Sequence, residues 1–357
     1  MHRSSTAIAT IGTRSSMLAH VLVEPGRIEL RELLRPSPGP GEVVLRIRAA
    51  LTCGTDVKAF LRGHPKFPMP TPFGHEFAGE VAEVGAQVKG VRAGDAVMAT
   101  PTGPCGSCYH CRRRQENLCD TVMETITLGA YAEYIKLPER VVKNNLYAKP
   151  PELSFAAAAL LEPLSCVMHG LETLPLEPDD TVILIGAGAI SLLHLLALRA
   201  LGTQRIAVLG RSPERAAHAR RLGAEKVFIG GVEAAAASVR DYTDGRGADV
   251  VIECTGQVPV WEAAPSLARR GGTVVLFGGC APGTDVRLDT QRLHYDELRV
   301  YSPFHSTPRA VRRAYELLCS GKLPGDALIT GAYPLPELPA ALEAHRLGLG
   351  IKFVIHP

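Results

Sequence analysis

Four of the nine cysteines fall close together, as Cys105, Cys108, Cys111 and Cys119, spaced C-x2-C-x2-C-x7-C. Four thiolates at about 2.3 Å from one ion make a closed tetrahedral Zn²⁺ site. Clustering of this kind reads as metal binding rather than as disulfides in a chain expected in the cytoplasm. A closed site has no position for substrate, so this zinc is expected to be structural. Arg112, Arg113 and Arg114 lie inside the lobe and raise a rival reading, a nucleic-acid zinc module. The net charge of only +3 argues against it, and a solvated face accounts for the arginines. The chemistry must lie elsewhere.

Three further polar clusters offer it: Cys53-Gly-Thr-Asp56, Gly74-His75-Glu76 and Leu161-Glu162-Pro163-Leu164. Cys, His and a carboxylate form a three-ligand catalytic zinc set whose fourth position takes water or a substrate oxygen. Such a Zn²⁺ lowers the pKa of a hydroxyl bound to it, after which hydride can leave the carbon for a nicotinamide held close by.

A cofactor site is written further along. The apolar run Thr181–Ile185 reads as a buried parallel strand, and a helix is expected over 192–201. Gly186-Ala-Gly188-Ala189-Ile190-Ser191 lies between them. Gly186 permits the tight turn, Gly188 lets backbone approach a pyrophosphate at the helix N-terminus, and the small Ser191 replaces the third glycine. The next strand, 205–209, leads to Gly210-Arg211-Ser212-Pro213-Glu214-Arg215. NAD enzymes of this design usually carry an acid here for the ribose 2′-hydroxyl. Its replacement by Gly210, with Arg211, Ser212 and Arg215 to meet a 2′-phosphate, predicts NADP over NAD.

These groups need two kinds of scaffold. From Met17 to Lys149 short period-two runs alternate with Gly/Pro turns, which predicts a β-rich barrel-like domain carrying the zinc lobe on its loops. After the junction 175–180, strands and helices alternate. Runs at 226–229, 249–256, 272–278 and 298–301 bring the total to six, a doubly wound parallel sheet. Residues 1–16 are polar, lack a signal-like apolar core, and are expected to be a disordered extension. No apolar run of about 18 residues exists, so no membrane span is expected.

Taken in order, Cys53-Gly-Thr-Asp56, Gly74-His75-Glu76, the four-cysteine lobe, Gly129-Ala-Tyr-Ala-Glu133 and Glu162-Pro163-Leu164 resemble the zinc-containing medium-chain alcohol dehydrogenases. The nearest likeness is to the sorbitol (L-iditol) and threonine dehydrogenase branch. It runs from Met17 to Pro357. It implies an α/β fold in two parts: a GroES-like catalytic domain over 17–174 and 307–357, with the zinc lobe at 103–121, and a Rossmann domain over 175–306. It implies Cys53, His75 and Glu76 as catalytic zinc ligands, with Glu162 a further carboxylate that binds the metal directly or through water. Which glutamate coordinates stays open at this stage. Asp56 would orient the ligand imidazole, and Thr55 would hydrogen-bond the reacting alcohol. Some relatives end a proton relay with histidine three residues after Thr55, where this chain has Lys58. Thr255 and Phe277 are implied at the cofactor, while the Cys254 and Cys280 thiols read as structural. His305 reads either as a pocket residue or as an inert loop histidine.

The expectation is therefore a zinc-dependent NAD(P) dehydrogenase oxidising a secondary alcohol of a polyol or sugar-like substrate, with two zincs per chain. From the resemblance it is expected to be a homodimer or homotetramer, with no nucleic-acid or membrane partner. The alternatives are an NADPH-dependent zinc aldehyde or ketone reductase, and a zinc-stabilised binding protein without catalysis.

Overall fold

A computed structural model describes residues 15–357. The expected extension over 1–16 thus lies mostly outside the described residues. Its last residue does not belong to it, because Ser16 opens the first strand, Ser16–Glu24.

Two sheet systems carry the chain. In the first, seven strands run in the order Ile329–Pro334, Lys352–His356, Val43–Leu51, Phe77–Val84, Ala96–Ala99 and Leu146–Ala148, with Tyr134–Leu137 joined to Val43–Leu51 off that path. A three-stranded sheet of Arg27–Leu34, Ser16–Glu24 and Thr71–Pro72 packs with it. Val43–Leu51 is the hub, because it pairs antiparallel with Phe77–Val84, Tyr134–Leu137 and the C-terminal Lys352–His356. The chain's last residues thereby return to the N-terminal half, as a GroES-like domain requires.

The second sheet is wholly parallel. Its order is Lys226–Ile229, Arg205–Gly210, Thr181–Ile185, Ala248–Glu253, Ala268–Leu276 and Arg299–Tyr301. Numbered along the chain this is 3-2-1-4-5-6, the Rossmann order, whose switch point lies beside Thr181–Ile185. All five residues of that strand are buried, as a strand covered on both faces demands.

One core joins the halves. Ala49, Leu51, Ala78 and Met98 of the barrel share a cluster with Leu161, Leu164 and Met168, and it continues into Leu184, Leu192 and Val250 of the parallel sheet. The helix Leu161–Leu171 is the bridge, and it packs along Pro308–Cys319. At about 25 cal/mol per Å² of apolar surface removed from water, these leucines hold the bridge firmly between the sheets.

Among the buried titratable residues, His194 lies inside the parallel-sheet half. His194 hydrogen-bonds the Ile190 carbonyl oxygen through Nδ1 at 2.9 Å, while Nε2 is buried without a partner. Phe277 packs edge-on against its ring, with centroids 4.7 Å apart. Burial pushes His194 down to about 4, so the folded state holds the ring neutral while the unfolded chain protonates it near 6.5. The unfolded state then binds the extra proton between those values, and stability must fall as pH drops through that window. At about 1.4 kcal/mol per pH unit this amounts to a few kcal/mol at most. We expect His194→Leu to flatten the loss in urea-unfolding free energy between pH 6.5 and 4. Equal slopes in variant and parent would show that His194 is not the group responsible.

Candidate active site

Cys53 sits between the hub strand and the helix Gly54–Arg62. It is that helix's N-cap, with φ −124° and ψ 146°, and its Sγ accepts the Thr55 N–H at 3.4 Å. A sulfur at a helix N-terminus faces the positive end of the helix dipole, which favours thiolate, but burial and the Glu76 charge push the metal-free Cys53 thiol up. The same turn supplies Asp56, fully buried.

His75 and Glu76 arrive from the other side of the hub, just before Phe77–Val84. Gly74 takes φ +90°, and a Cβ there would lie 2.7 Å from the Tyr131 ring, so only glycine lets the chain turn under that ring. The Tyr131 hydroxyl lies 2.6 Å from Asp56 Oδ2 and 3.0 Å from the Leu51 carbonyl oxygen. It has one proton, and the shorter, charge-assisted contact to the carboxylate takes it. Asp56 Oδ1 lies 2.9 Å from His75 Nδ1. The ring N–H is turned off that line, so neither atom makes a well-aligned hydrogen bond. Burial alone would lower the His75 pKa. The Asp56 charge outweighs it and holds the imidazole well above its ordinary value.

The ligating atoms of Cys53, His75 and Glu76 all lie within 4.8 Å of one another. Glu76 Oε2 pairs with Lys352 Nζ at 2.5 Å, and Oε1 is buried with no partner. A buried carboxylate oxygen left open beside a thiol and an imidazole is what a soft-to-borderline cation such as Zn²⁺ would satisfy. The residues fit the metal.

Glu162 opens the helix Leu161–Leu171 and is not part of that trio. Its carboxylate groups instead with Cys166 and His305, again within 4.8 Å, and it accepts the Cys166 thiol at 3.7 Å. Burial and the neighbouring Glu76 charge, opposed by His75, leave Glu162 raised to about 7. Two donor sets of one chemistry thus stand side by side.

The lobe cysteines fit a second ion. Cys105, Cys108, Cys111 and Cys119 bring their sulfurs within 4.8 Å of one another. Cys105 and Cys111 Sγ are 3.9 Å apart, close to the roughly 3.8 Å edge of a tetrahedron with 2.3 Å metal–sulfur bonds and far beyond a disulfide. Backbone N–H groups turn toward the sulfurs: Cys108 N donates to Cys105 Sγ at 3.3 Å and Cys111 N to Cys108 Sγ at 3.5 Å. The N–H groups of Ser107 and Cys108 hold the Cys105 thiol down at about 6.

The cofactor residues lie at the switch point. Gly186 has φ +110° and donates its N–H to the Leu209 carbonyl oxygen at 2.7 Å. Gly188 is the N-cap of Ala189–Ala200, whose first turn contains Ala189, Ile190 and the buried Ser191. The helix begins three residues earlier than the sequence pattern suggests, so its free N–H groups meet the glycine turn. Gly210 ends its strand, and a Cβ there would lie 2.9 Å from the Ala187 Cβ. Arg211 is exposed and has no ion-pair partner among the described residues. Ser212 caps Pro213–Arg221 by accepting the Arg215 N–H, and it donates to Glu214 at 2.7 Å. The Arg215 guanidinium is half-buried near Gly188 and Gly348. Thr255 donates through both its N–H and its hydroxyl to the buried Glu253, which fixes the turn beside Gly186. Phe277 packs on His194 and Gly170.

Sequence reasoning passed over Lys352, Cys166 and the Tyr131–Asp56 contact. A signal existed for the first, a single charged residue within the apolar run 351–355. Among the described residues, no helix is long and apolar enough to cross a membrane.

The sequence matches the family model for an alcohol dehydrogenase GroES-like domain over residues 39–146 and that for a zinc-binding dehydrogenase over 189–320. D-arabitol-phosphate dehydrogenase of Enterococcus avium is 33% identical, over 91% of this chain and 92% of that protein. Sorbitol dehydrogenase of Bacillus subtilis (strain 168) is 29% identical, over 92% of this chain and 93% of that protein. A zinc-binding dehydrogenase of Sinorhizobium meliloti 1021, solved with NADP, superposes with a TM-score of 0.87 at 29% identity, covering 96% of this chain and 100% of the other.

Proposed function

The chain belongs to the zinc-containing medium-chain alcohol dehydrogenase family, and on that premise we propose that it oxidises a secondary alcohol of a polyol or sugar-like substrate with NADP. The observation that carries the reading is the clustering of half-buried Cys53 with buried His75 and Glu76, one Glu76 oxygen being left open. A zinc held there supplies Lewis acidity that favours loss of the alcohol proton.

The chain's own residues do the rest. The Asp56 carboxylate, 2.9 Å from His75 Nδ1, keeps the ring electron-rich through its charge. Lys352 holds one Glu76 oxygen and so directs the other toward the metal position. Thr55, in the first turn after Cys53, hydrogen-bonds the reacting alcohol and relays its proton outward, its hydroxyl giving up one proton as it takes the other. Gly186, Gly188 and the first turn of Ala189–Ala200, with Ile190, cradle the pyrophosphate, and Thr255 and Phe277 border the nicotinamide. A nicotinamide held there would accept hydride from the carbinol carbon, leaving a ketone. Cys105, Cys108, Cys111 and Cys119 hold a second, structural zinc, which makes two per chain. The relatives named for arabitol phosphate and sorbitol support the polyol class. We place the protein in the cytoplasm as a homodimer or homotetramer.

NADP preference rests on Gly210 and the exposed Arg211. Arg211→Ala is expected to raise KM for NADP about tenfold or more, by loss of a charge-assisted contact, with NAD changed less than about twofold. Equal effects on the two cofactors would show that Arg211 does not meet the 2′-phosphate. The reading as a whole is tested by initial rates of alcohol-dependent nicotinamide reduction. Polyols, amino alcohols and simple secondary alcohols would each be run with NADP and with NAD. Fastest turnover with a polyol and NADP supports it, and turnover confined to non-polyol alcohols refutes the substrate class.

A further inference from the structure

His305 has no role in the steps above, yet it is held firmly beside Glu162 and Cys166. It is one of few non-glycine residues at positive φ, +61°, a left-handed conformation that other constraints must hold. Two contacts do so, both from the metal lobe and its approach. Asn117 Nδ2 donates to the Phe304 carbonyl oxygen at 3.1 Å, fixing the preceding peptide. Thr102 Oγ1 lies 2.8 Å from His305 Nε2, fixing the ring. Thr102 is itself buried, and Asn145 holds its carbonyl oxygen at 2.7 Å.

The clamp leaves one nitrogen free. Nδ1 has no partner among the described residues, and it is not among the atoms sealed from solvent. The ring stands with Glu162 and Cys166, their ligand atoms mutually within 4.8 Å, beside the trio of Cys53, His75 and Glu76. Burial pushes His305 down to about 4, with the His169 and His75 charges acting in the same sense. A neutral imidazole has one nitrogen donating and the other accepting. Whichever tautomer Thr102 selects, Nδ1 keeps hydrogen-bonding capacity.

We propose that His305 is a specificity residue whose Nδ1 hydrogen-bonds the hydroxyl on the carbon next to the one oxidised, so that the site selects vicinal diols. The inference rests on the dehydrogenase reading above. A mono-alcohol offers Nδ1 no substrate hydroxyl, and a site built to bond a hydroxyl rejects the analogue that lacks it. The zinc lobe has a share in selectivity, because Asn117 within it seats the loop that presents the ring.

The test compares butane-2,3-diol with butan-2-ol, which differ by that one hydroxyl, on the zinc-loaded enzyme. His305→Gly removes the ring and accepts positive φ without strain; His305→Asn retains a polar group and tolerates the same backbone. His305→Gly is expected to lower kcat/KM for the diol about tenfold or more, with the mono-alcohol changed less than about twofold, and His305→Asn to restore part of the preference. Diol affinity is also measured by calorimetry in the NADPH complex, where the alcohol cannot react, and is expected to weaken in parallel. Equal losses on both alcohols, an unchanged preference, or identical diol affinity in parent and His305→Gly would each overturn the proposal. A third zinc per chain that disappears in His305→Gly would also overturn it, because the ring would then be a metal ligand with Glu162 and Cys166. Absence of turnover with every alcohol counts against the dehydrogenase reading alone, and the calorimetric comparison still decides the role of His305.

Discussion

Cys53→Ser is expected to remove alcohol oxidation almost completely while the protein stays folded. The thiolate is the soft member of the trio with His75 and Glu76, and a hydroxyl, neutral at working pH, is a poor substitute toward zinc. Lewis-acid assistance is worth several kcal/mol, so kcat/KM should fall about a thousandfold or more. The fold should survive for a local reason. Cys53 is an N-cap whose sulfur accepts the Thr55 N–H, and serine is among the preferred N-caps, with an oxygen that accepts the same bond. Zinc content should drop by one per chain, with the lobe ion retained. Near-parental activity, or undiminished zinc content, would mean that the trio is not the metal site.

The second large effect is expected at Lys352. Its ammonium is almost wholly buried, donates to Glu76 Oε2 at 2.5 Å and lies 3.1 Å from the Thr52 carbonyl oxygen. Its pKa is raised even though burial alone would lower it, because the Glu76 and Cys53 charges outweigh that penalty. Lys352→Met leaves the Glu76 carboxylate buried without its counter-charge. Removing one partner of a buried pair costs about 3–5 kcal/mol, far more than an exposed pair contributes. A zinc touching the other Glu76 oxygen would offset part of that cost. Denaturant unfolding should therefore show a larger loss in metal-stripped Lys352→Met than in the zinc-loaded variant. The double variant Lys352→Met with Glu76→Gln should recover much of the stripped-state loss. The same loss with and without zinc would indicate that Glu76 does not meet the metal.

Much of this architecture was legible in the sequence where one signal sufficed. Thr181–Ile185 is buried from end to end, so its unbroken apolar run identified both the strand and the parallel sheet around it. The lobe cysteines announced themselves by residue type and spacing, whereas Cys53 and His75 stood out only through the family resemblance. The order of elements placed the glycine turn between strand and helix. What depended on distant pairing was harder to see. The first helix of the parallel domain starts at Ala189 rather than Leu192, because the glycine turn itself provides the N-cap. Glu76 and Lys352 are far apart in the chain and meet only because the C-terminal strand pairs with Val43–Leu51. The resemblance singled out Glu162 as a further carboxylate, but its grouping with Cys166 and His305 follows from a helical turn and a loop from the other half of the chain. Spacing reveals ligands that are neighbours in sequence; folding decides which distant groups share their cavity.

The most direct test of the central claim is a zinc titration of the metal-stripped protein, with NADP reduction by a polyol followed at each step. The account predicts that activity requires both ions and saturates at two zincs per chain, while Cys53→Ser saturates at one and stays inactive. Full turnover by the stripped protein, or by Cys53→Ser, would contradict it.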